Sequence, residues 1–301
     1  MVGPARKREA VVHLRRELEL SERRACKVVG QGRSTQRYAA VPDAGEERLR
    51  GALRQLSGER PRAGYRTVAQ CLRNSGWEVS DKRVQRLWRE EGLRVPRRQR
   101  KRRRLGTSEQ GSQRLRAQRA NQVWSYDFVQ DRTRNGRRLK MLCVVDEYTR
   151  ECLEIWVARR ITAMDVVGVM EGLIAQRGAP EHLRSDNGPE FIARALRDWL
   201  ERTGIQALYI TPGSPWENAY CESFNSRFRD EFLNREEFTS ELEAKVLSAE
   251  WRRDYNEMRP HSALGGQTPA GFGARCRASV GATPLPAHDS AHPPQPQPNL
   301  S

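Results

Sequence analysis

The stretch that decides the fold is Val123-Trp-Ser-Tyr-Asp-Phe-Val-Gln-Asp-Arg-Thr-Arg-Asn-Gly-Arg-Arg-Leu-Lys-Met-Leu-Cys-Val-Val145. Val123–Val129 alternates as a β-strand does, with a period of two. Asn135-Gly136 signals a hairpin, because Asn-Gly supplies the positive φ angles of a type I′ turn. Leu139–Val145 is nearly continuous in apolar residues toward its end, which suits a strand covered on both faces. Asp127 sits in the middle of the first strand. A bare carboxylate in such an apolar run is expensive to bury unless it is paired or bound to a metal ion.

Downstream, Cys152–Ala158 reads as a third strand. Thr162 can cap a helix running to Gln176, with Val166, Val167, Val169, Met170, Leu173 and Ile174 apolar and Gly178-Ala-Pro180 ending it. His182–Ser185 is a short strand that runs straight into Asp186. Pro189 stands where the next helix begins, and that helix reaches Gly204. Ile205–Ile210 is a fifth strand. Two more helices follow, one carrying Glu222 and one from Thr239 to about Tyr255. The order βββαβαβα predicts a mixed sheet covered by helices on both faces, a ribonuclease-H-like α/β arrangement.

Three acids fall on three of these elements. Asp127 is mid-strand, Asp186 is at a strand end in Ser-Asp-Asn-Gly-Pro, and Glu222 is on a helix, with 35 residues between the last two. Alone, Asp186 reads better as turn chemistry, because Asp-Asn-Gly also makes turns and N-caps. At about 100° per residue, Cys221, Phe224, Phe228 and Phe232 form one apolar stripe, and Glu222 points away from it beside Asn218, Asn225 and Arg229. Together the three acids are the ligand set that a two-metal phosphoryl-transfer site needs, in which two cations roughly 3.5–4 Å apart share carboxylates. Oxygen ligands suit Mg²⁺, with Mn²⁺ as its substitute. Asp146, in Val-Val-Asp-Glu-Tyr, also ends a strand, but a turn follows at once and it reads as structural.

The chain carries a formal charge of +16, unevenly spread. Residues 1–120 hold 32 Lys and Arg against 13 Asp and Glu, whereas residues 121–301 hold 22 against 25. A nucleic-acid-binding half joined to an acidic-site half accounts for this better than a uniformly Arg-rich surface does. Residues 5–20 and Glu22–Val29 read as two short helices, and Gly32-Arg-Ser-Thr-Gln-Arg-Tyr38 as a polar, basic loop. A helix with Leu49, Leu53 and Leu56 on one face follows Pro42-Asp43. Tyr65–Leu72 and Asp81–Glu91 are then two helices with a tight turn between them. The second buries Val84, Leu87 and Trp88 and turns Lys82, Gln85, Arg86 and Arg89 outward, like a helix-turn-helix set for the major groove; a plain helical bundle would share the pattern. Arg94-Val-Pro-Arg-Arg-Gln-Arg-Lys-Arg-Arg-Arg104 offers Arg97, Arg98, Arg100, Lys101, Arg102, Arg103 and Arg104 to phosphates, or serves as a solvated linker.

Six scattered cysteines form no Cys-x-x-Cys pair and assemble no zinc site with the five histidines, which fits a reducing compartment. No apolar run approaches ~18 residues and no signal peptide opens the chain, so a soluble, non-secreted protein is expected. The expected domains are a helical segment 1–40, an all-α helix-turn-helix-like domain 41–93, a basic linker 94–120, the catalytic α/β core 121–273 and a Pro-rich disordered tail 274–301.

Trp-Ser-Tyr-Asp-Phe-Val, Arg-Ser-Asp-Asn-Gly-Pro-Glu-Phe, Trp-Glu-Asn-Ala-Tyr-Cys-Glu-Ser-Phe-Asn-Ser-Arg-Phe-Arg-Asp-Glu and the late Tyr-Asn-Glu-Met-Arg-Pro-His-Ser-Ala-Leu-Gly-Gly-Gln-Thr-Pro resemble the retroviral-integrase-like core of the DDE transposases. More narrowly, they are similar to bacterial insertion sequences that encode the catalytic half as a second, frameshifted reading frame, and Ser21–Tyr38 is similar to the opening of that product. The resemblance covers roughly residues 20–272. It implies a catalytic, metal-holding triad of Asp127, Asp186 and Glu222. Arg229 would then touch the DNA end, and Asn187 and Asn218 would neighbour the scissile phosphate. It implies metal-dependent cleavage at the element ends and strand transfer by the freed 3′-OH. The partners it implies are element-end and target DNA, a homo-oligomer on paired ends and the upstream-frame product, in the bacterial cytoplasm at the nucleoid. The rival reading is a non-catalytic DNA-binding regulator descended from a transposase.

Overall fold

Three strands in a row that alternate or run apolar, then strands separated by helices, dictate the sheet. In the computed structural model, which describes residues 3–38, 44–96, 115–186, 194–209 and 218–281, β1 (Val123–Arg132), β2 (Arg138–Asp146) and β3 (Cys152–Ala158) form an antiparallel meander. β4 (His182–Ser185) and β5 (Gln206–Tyr209) add in parallel on the other side of β1, giving the order β3-β2-β1-β4-β5. The sheet is therefore mixed, with β1 at its centre.

The pleat sorts the core into two layers. Even-numbered residues of β1 and β2, such as Trp124, Tyr126, Leu142 and Val144, pack under α7 (Ala163–Arg177) and α8 (Arg194–Thr203). Odd-numbered residues, such as Val129, Met141, Cys143 and Val145, pack under α9 (Ala219–Phe228) and α10 (Glu241–Glu257). Helices on both faces and a five-stranded mixed sheet make this the ribonuclease-H-like arrangement that the element order predicts. Thr162 and Asp165 close a full capping box at the start of α7. Past Phe228 the helix widens into a π-type turn, Arg229–Leu233, which keeps Phe232 in the apolar stripe.

The hairpin differs from expectation. Asn135 keeps a negative φ, and only Gly136, at φ 80°, is left-handed. Thr133 N–H donates to Arg137 O (2.9 Å) and Gly136 N–H to Thr133 O (2.8 Å). These bonds close a three-residue loop, a type I turn with a left-handed glycine, rather than a type I′ turn. The Arg132–Arg138 register fixes that loop length, and Asn135 spends its side chain on the Thr133 hydroxyl.

Two compact units divide the chain, residues 1–53 and 54–301. In the first, α1 (Pro4–Glu17), α2 (Glu22–Val29) and α3 (Arg33–Arg37) pack around Val11, Ala25 and Cys26. The reading of Gly32–Tyr38 as a loop is thus corrected: five of its residues are helical, held by side-chain contacts that carry no apolar period. α4 (Ala44–Glu59) crosses the boundary between the units.

In the second unit, α5 (Tyr65–Asn74) and α6 (Asp81–Glu90) form the expected helix-turn-helix-like pair. They bury Val68, Ala69, Leu72, Val84, Leu87 and Trp88, and Ser80 caps α6. The pair is seated on the core. Asn74 Nδ2 donates to Gly266 O (3.3 Å), and Gln70 lies so close to Gly266 that a Cβ there would stand 2.7 Å from it. Gly265 and Gly266 both have positive φ, so this turn of the late motif is one that glycine makes without strain. Arg60 pairs with Asp254, Arg62 stands 3.7 Å from Asp230, and Arg235 donates to Glu59 O (3.4 Å). α11 (Pro269–Gly281) runs on through residues 274–281, which were expected to belong to the tail. All six cysteines are free thiols, five of them buried. No helix among the described residues is long and apolar enough to cross a membrane.

Candidate active site

Each acid is placed by the element beneath it. Asp127 projects from the middle of β1, opposite Cys143 of β2, on the face covered by α9. β4 lies parallel to β1 with Ser125 beside Arg184. Carrying that register two residues further sets Asp186 beside Asp127, on the same face, because side chains two apart share a face. Asp186 is half-buried at the end of β4.

α9 brings the third acid. Its stripe of Cys221, Phe224 and Phe228 is buried against the sheet and α10, with Phe224 packed edge-on to Tyr255 (5.1 Å between ring centres) and Phe228 against Trp251 (4.9 Å). That packing fixes the rotation of the helix, and Glu222 is left exposed on the other side, as the helical spacing predicts. One turn on, Asn225 Nδ2 donates to Asp127 Oδ2 (2.9 Å), and the Phe128 N–H donates to Asp127 Oδ1 (2.7 Å). Asn225 Oδ1 is buried and has no hydrogen-bond partner.

The electrostatics agree with this placement. Burial raises the Asp127 carboxyl to about 6; the Asp186 and Glu222 carboxylates push the same way, against the two hydrogen bonds. Asp186 and Glu222 thus both act on Asp127 through space. Among the described residues no group of three His, Cys, Asp or Glu side chains closes to the distances of a metal cage. The donor chemistry nonetheless fits a hard divalent cation: oxygen donors only, one of them disfavoured as an anion by burial and by the other two, which a positive charge would relieve.

The remaining expected site residues divide. Arg229 is exposed and donates to Gln130 O on β1 (3.0 Å), so it stands along the strand that carries Asp127. Asn218, expected on the open face, is instead 2 % exposed with a partnerless Oδ1, at the position just before α9. Lys82, Arg86 and Arg89 lie exposed on α6, and Gln85 is half-buried; Arg86 is paired with Glu90 (3.0 Å). Asn187 and Arg97, Arg98, Arg100, Lys101, Arg102, Arg103 and Arg104 lie outside the described residues. Asp146 is structural: it accepts from the N–H groups of Tyr148, Thr149 and Asn121 at 2.8–2.9 Å and organises the turn after β2.

Two features escaped the sequence reading. Asn225 was seen only as sharing a face with Glu222; its spacing of three from Glu222 was the available signal. Arg184, which precedes Asp186 by two, forms a buried ion pair with Glu147 (2.8 Å) that no local pattern announces.

Models of known families match three parts of the chain. An integrase core domain matches residues 117–215, a second integrase core domain matches 203–269, and a helix-turn-helix-like domain matches 45–101. A 31.7 kDa protein of insertion element IS407 from Burkholderia multivorans is 43% identical over 89% of this chain and 96% of its own. A 39.2 kDa protein of insertion element IS476 from Xanthomonas euvesicatoria is 41% identical over 92% of this chain and 79% of its own. The transposase InsD of insertion element IS2 from Escherichia coli is 28% identical over 72% of this chain and 75% of its own.

Proposed function

The chain belongs to the integrase-core transposases of bacterial insertion elements, and we propose that it cuts the ends of its own element and joins them to target DNA through Asp127, Asp186 and Glu222. The observation that supports this reading is geometric: the parallel β1–β4 register sets Asp186 beside the half-buried Asp127, and Asn225, on the helix face that carries Glu222, bonds Asp127 at 2.9 Å. Mg²⁺, or Mn²⁺, held by these three carboxylates as a pair of ions would polarise the phosphate, lower the pKa of an attacking water and stabilise the leaving oxygen. Asp127 is fixed by Asn225 and the Phe128 amide, so its oxygens are aimed before substrate arrives. Asp186 and Glu222 complete the ligand set from a strand end and a helix.

In the first step water attacks the phosphodiester at the element end and expels a 3′-OH. In the second that 3′-OH attacks a target phosphodiester, and the displaced oxygen leaves as a new 3′-OH. Both are in-line displacements, so no Ser or Tyr nucleophile is required. Arg229 contacts the DNA end beside β1, and Asn187 neighbours the scissile phosphate, whereas the buried Asn218 supports the start of α9. Lys82, Gln85, Arg86 and Arg89 of α6 meet the major groove, and the basic run from Arg97 to Arg104 meets phosphates. The working boundaries are 1–40, 41–93, 94–120, 121–273 and 274–301. The protein works as a homo-oligomer on paired ends in the cytoplasm, as a second-frame product accompanied by its upstream partner.

The test is a cleavage and joining assay on labelled element-end DNA with Mg²⁺ or Mn²⁺. Metal-dependent nicking and joined product, both lost in Glu222→Gln while DNA binding persists, are expected. Binding without cutting in both proteins, also when fused to the upstream segment, would leave a DNA-binding remnant in place of an enzyme.

A further inference from the structure

The first compact unit carries none of the three acids, and the helix-turn-helix-like match begins only at residue 45. Yet residues 21–37 form a helix, a short turn and a second helix. Ser21 caps α2 by accepting from Arg24 N–H (3.4 Å), and Gly30 ends it in the left-handed conformation at φ 65°. Only Gly30, Gln31 and Gly32 separate α2 from α3. A three-residue turn containing glycine is the connection of a DNA-reading helix-turn-helix.

The orientation of α3 is set by named contacts. Gln36 faces inward: its Nε2 donates to Arg8 O (3.4 Å), and its Oε1 accepts from the buried Gln31 (2.7 Å). Arg8 in turn donates to Thr35 O (3.0 Å). Arg33 and Arg37, one turn apart, converge on Glu22 at the start of α2 (3.0 and 2.8 Å) while remaining half-exposed. Geometry at 100° per residue then leaves Ser34 and Thr35 outermost, and both are exposed. The outer face of α3 is therefore hydroxyl groups flanked by guanidinium groups. Between residues 3 and 38 the chain holds ten Lys or Arg against four Glu.

We propose that α2 and α3 form a second duplex-DNA reader, separate from α5 and α6, with Ser34 and Thr35 at base edges and Arg33 and Arg37 beside the phosphates. The charge of the unit complements a polyanion, and the outer face of α3 carries donors and acceptors where a protein-docking helix would carry apolar side chains. This rests on the reading that the chain acts on DNA, and it adds that an element end is read at two places.

The test uses the full chain and a DNA fragment carrying an end of the element that encodes it. Protection from nuclease is mapped for wild type, Ser34→Glu/Thr35→Glu, Ser34→Ala/Thr35→Ala and Lys82→Glu/Arg89→Glu, each checked for unchanged thermal unfolding. Wild type should protect two separate stretches. The Ser34/Thr35 pair of glutamates should erase one and keep the other, and the Lys82/Arg89 variant should do the reverse. The alanine pair should lower the preference for end DNA over unrelated DNA about tenfold. Unchanged protection by both Ser34/Thr35 variants overturns the second reader alone. So does unchanged protection accompanied by loss of self-association, which would make α3 a protein-docking face. Absence of any protection by wild type overturns this proposal together with the DNA-acting reading.

Discussion

Removing the charge of Asp127 should end cleavage and, in the metal-free protein, stabilise the fold. Folding lifts this carboxyl from 3.8 to about 6, because burial and two neighbouring acids disfavour its ionised form. A raised folded pKa contributes stability that is fully present below the unfolded value near 3.8 and is lost as pH rises through about 6. Above that range the ionised side chain costs the fold on the order of 3 kcal/mol, at about 1.4 kcal/mol per unit. An asparagine in its place would be accommodated. The amide oxygen still accepts the Phe128 N–H, and Asn225 can turn its own amide over to offer the Oδ1 that is buried without a partner. In Asp127→Asn at pH 8 with chelator, Tm should therefore rise by roughly 6–12 °C, at about 2–4 °C per kcal/mol for a unit of this size. The gain should vanish near pH 4. Added Mg²⁺ should raise the Tm of wild type but not of the variant, narrowing the gap. A variant that melts at or below wild type in chelator at pH 8 would refute the argument that Asp127 is held ionised against its burial and two neighbouring acids.

Three further outcomes follow from contacts around the site and the reading helix. Asn225→Ala should leave the fold intact but raise the Mg²⁺ concentration for half-maximal cleavage by about tenfold, since it frees a carboxylate that the amide aims; an unchanged metal titration would remove that role. Glu147→Ala should cost about 3–5 kcal/mol in urea unfolding, because Arg184 would be left buried and uncompensated, and a loss below about 1 kcal/mol would show that water reaches the pair. Lys82→Ala/Arg89→Ala should weaken binding to element-end DNA about tenfold more than to unrelated DNA, as groove contacts do; a loss equal on both, with a flatter salt dependence, would instead assign these side chains to phosphates.

The catalytic half was legible because its physics is local. Strand alternation around Asp127, the apolar run of Leu139–Val145 and the capped helix after Thr162 each carry their own signal, and the spacing of Cys221, Phe224 and Phe228 correctly turned Glu222 away from the core. α3 was missed because nothing apolar recurs in Arg33–Arg37; its helix depends on Glu22, Arg8 and Gln31, which only the fold brings near. The hairpin loop was misassigned because strand register, not the Asn-Gly pair, chose its length. Arg184 and Glu147 lie on separate elements far apart along the chain, so their pairing has no sequence period. Asn218 was expected on the open face by helical phase, but it precedes the first turn of α9, where that phase does not apply.

The seat of α5 on the Gly265-Gly266 turn, with the Arg60 and Arg62 pairs beside it, has a consequence for search and accuracy. Two modules on a slack tether explore many separations, and each binding event must freeze one of them at an entropic cost. Modules already seated on each other have met that cost during folding. The offset between α6 and Asp127 then belongs to the protein as the length of a gauge belongs to the gauge. Base pairs inserted between the groove proposed for α6 and the element end should then move the cut along the DNA instead of being absorbed by a change in the protein.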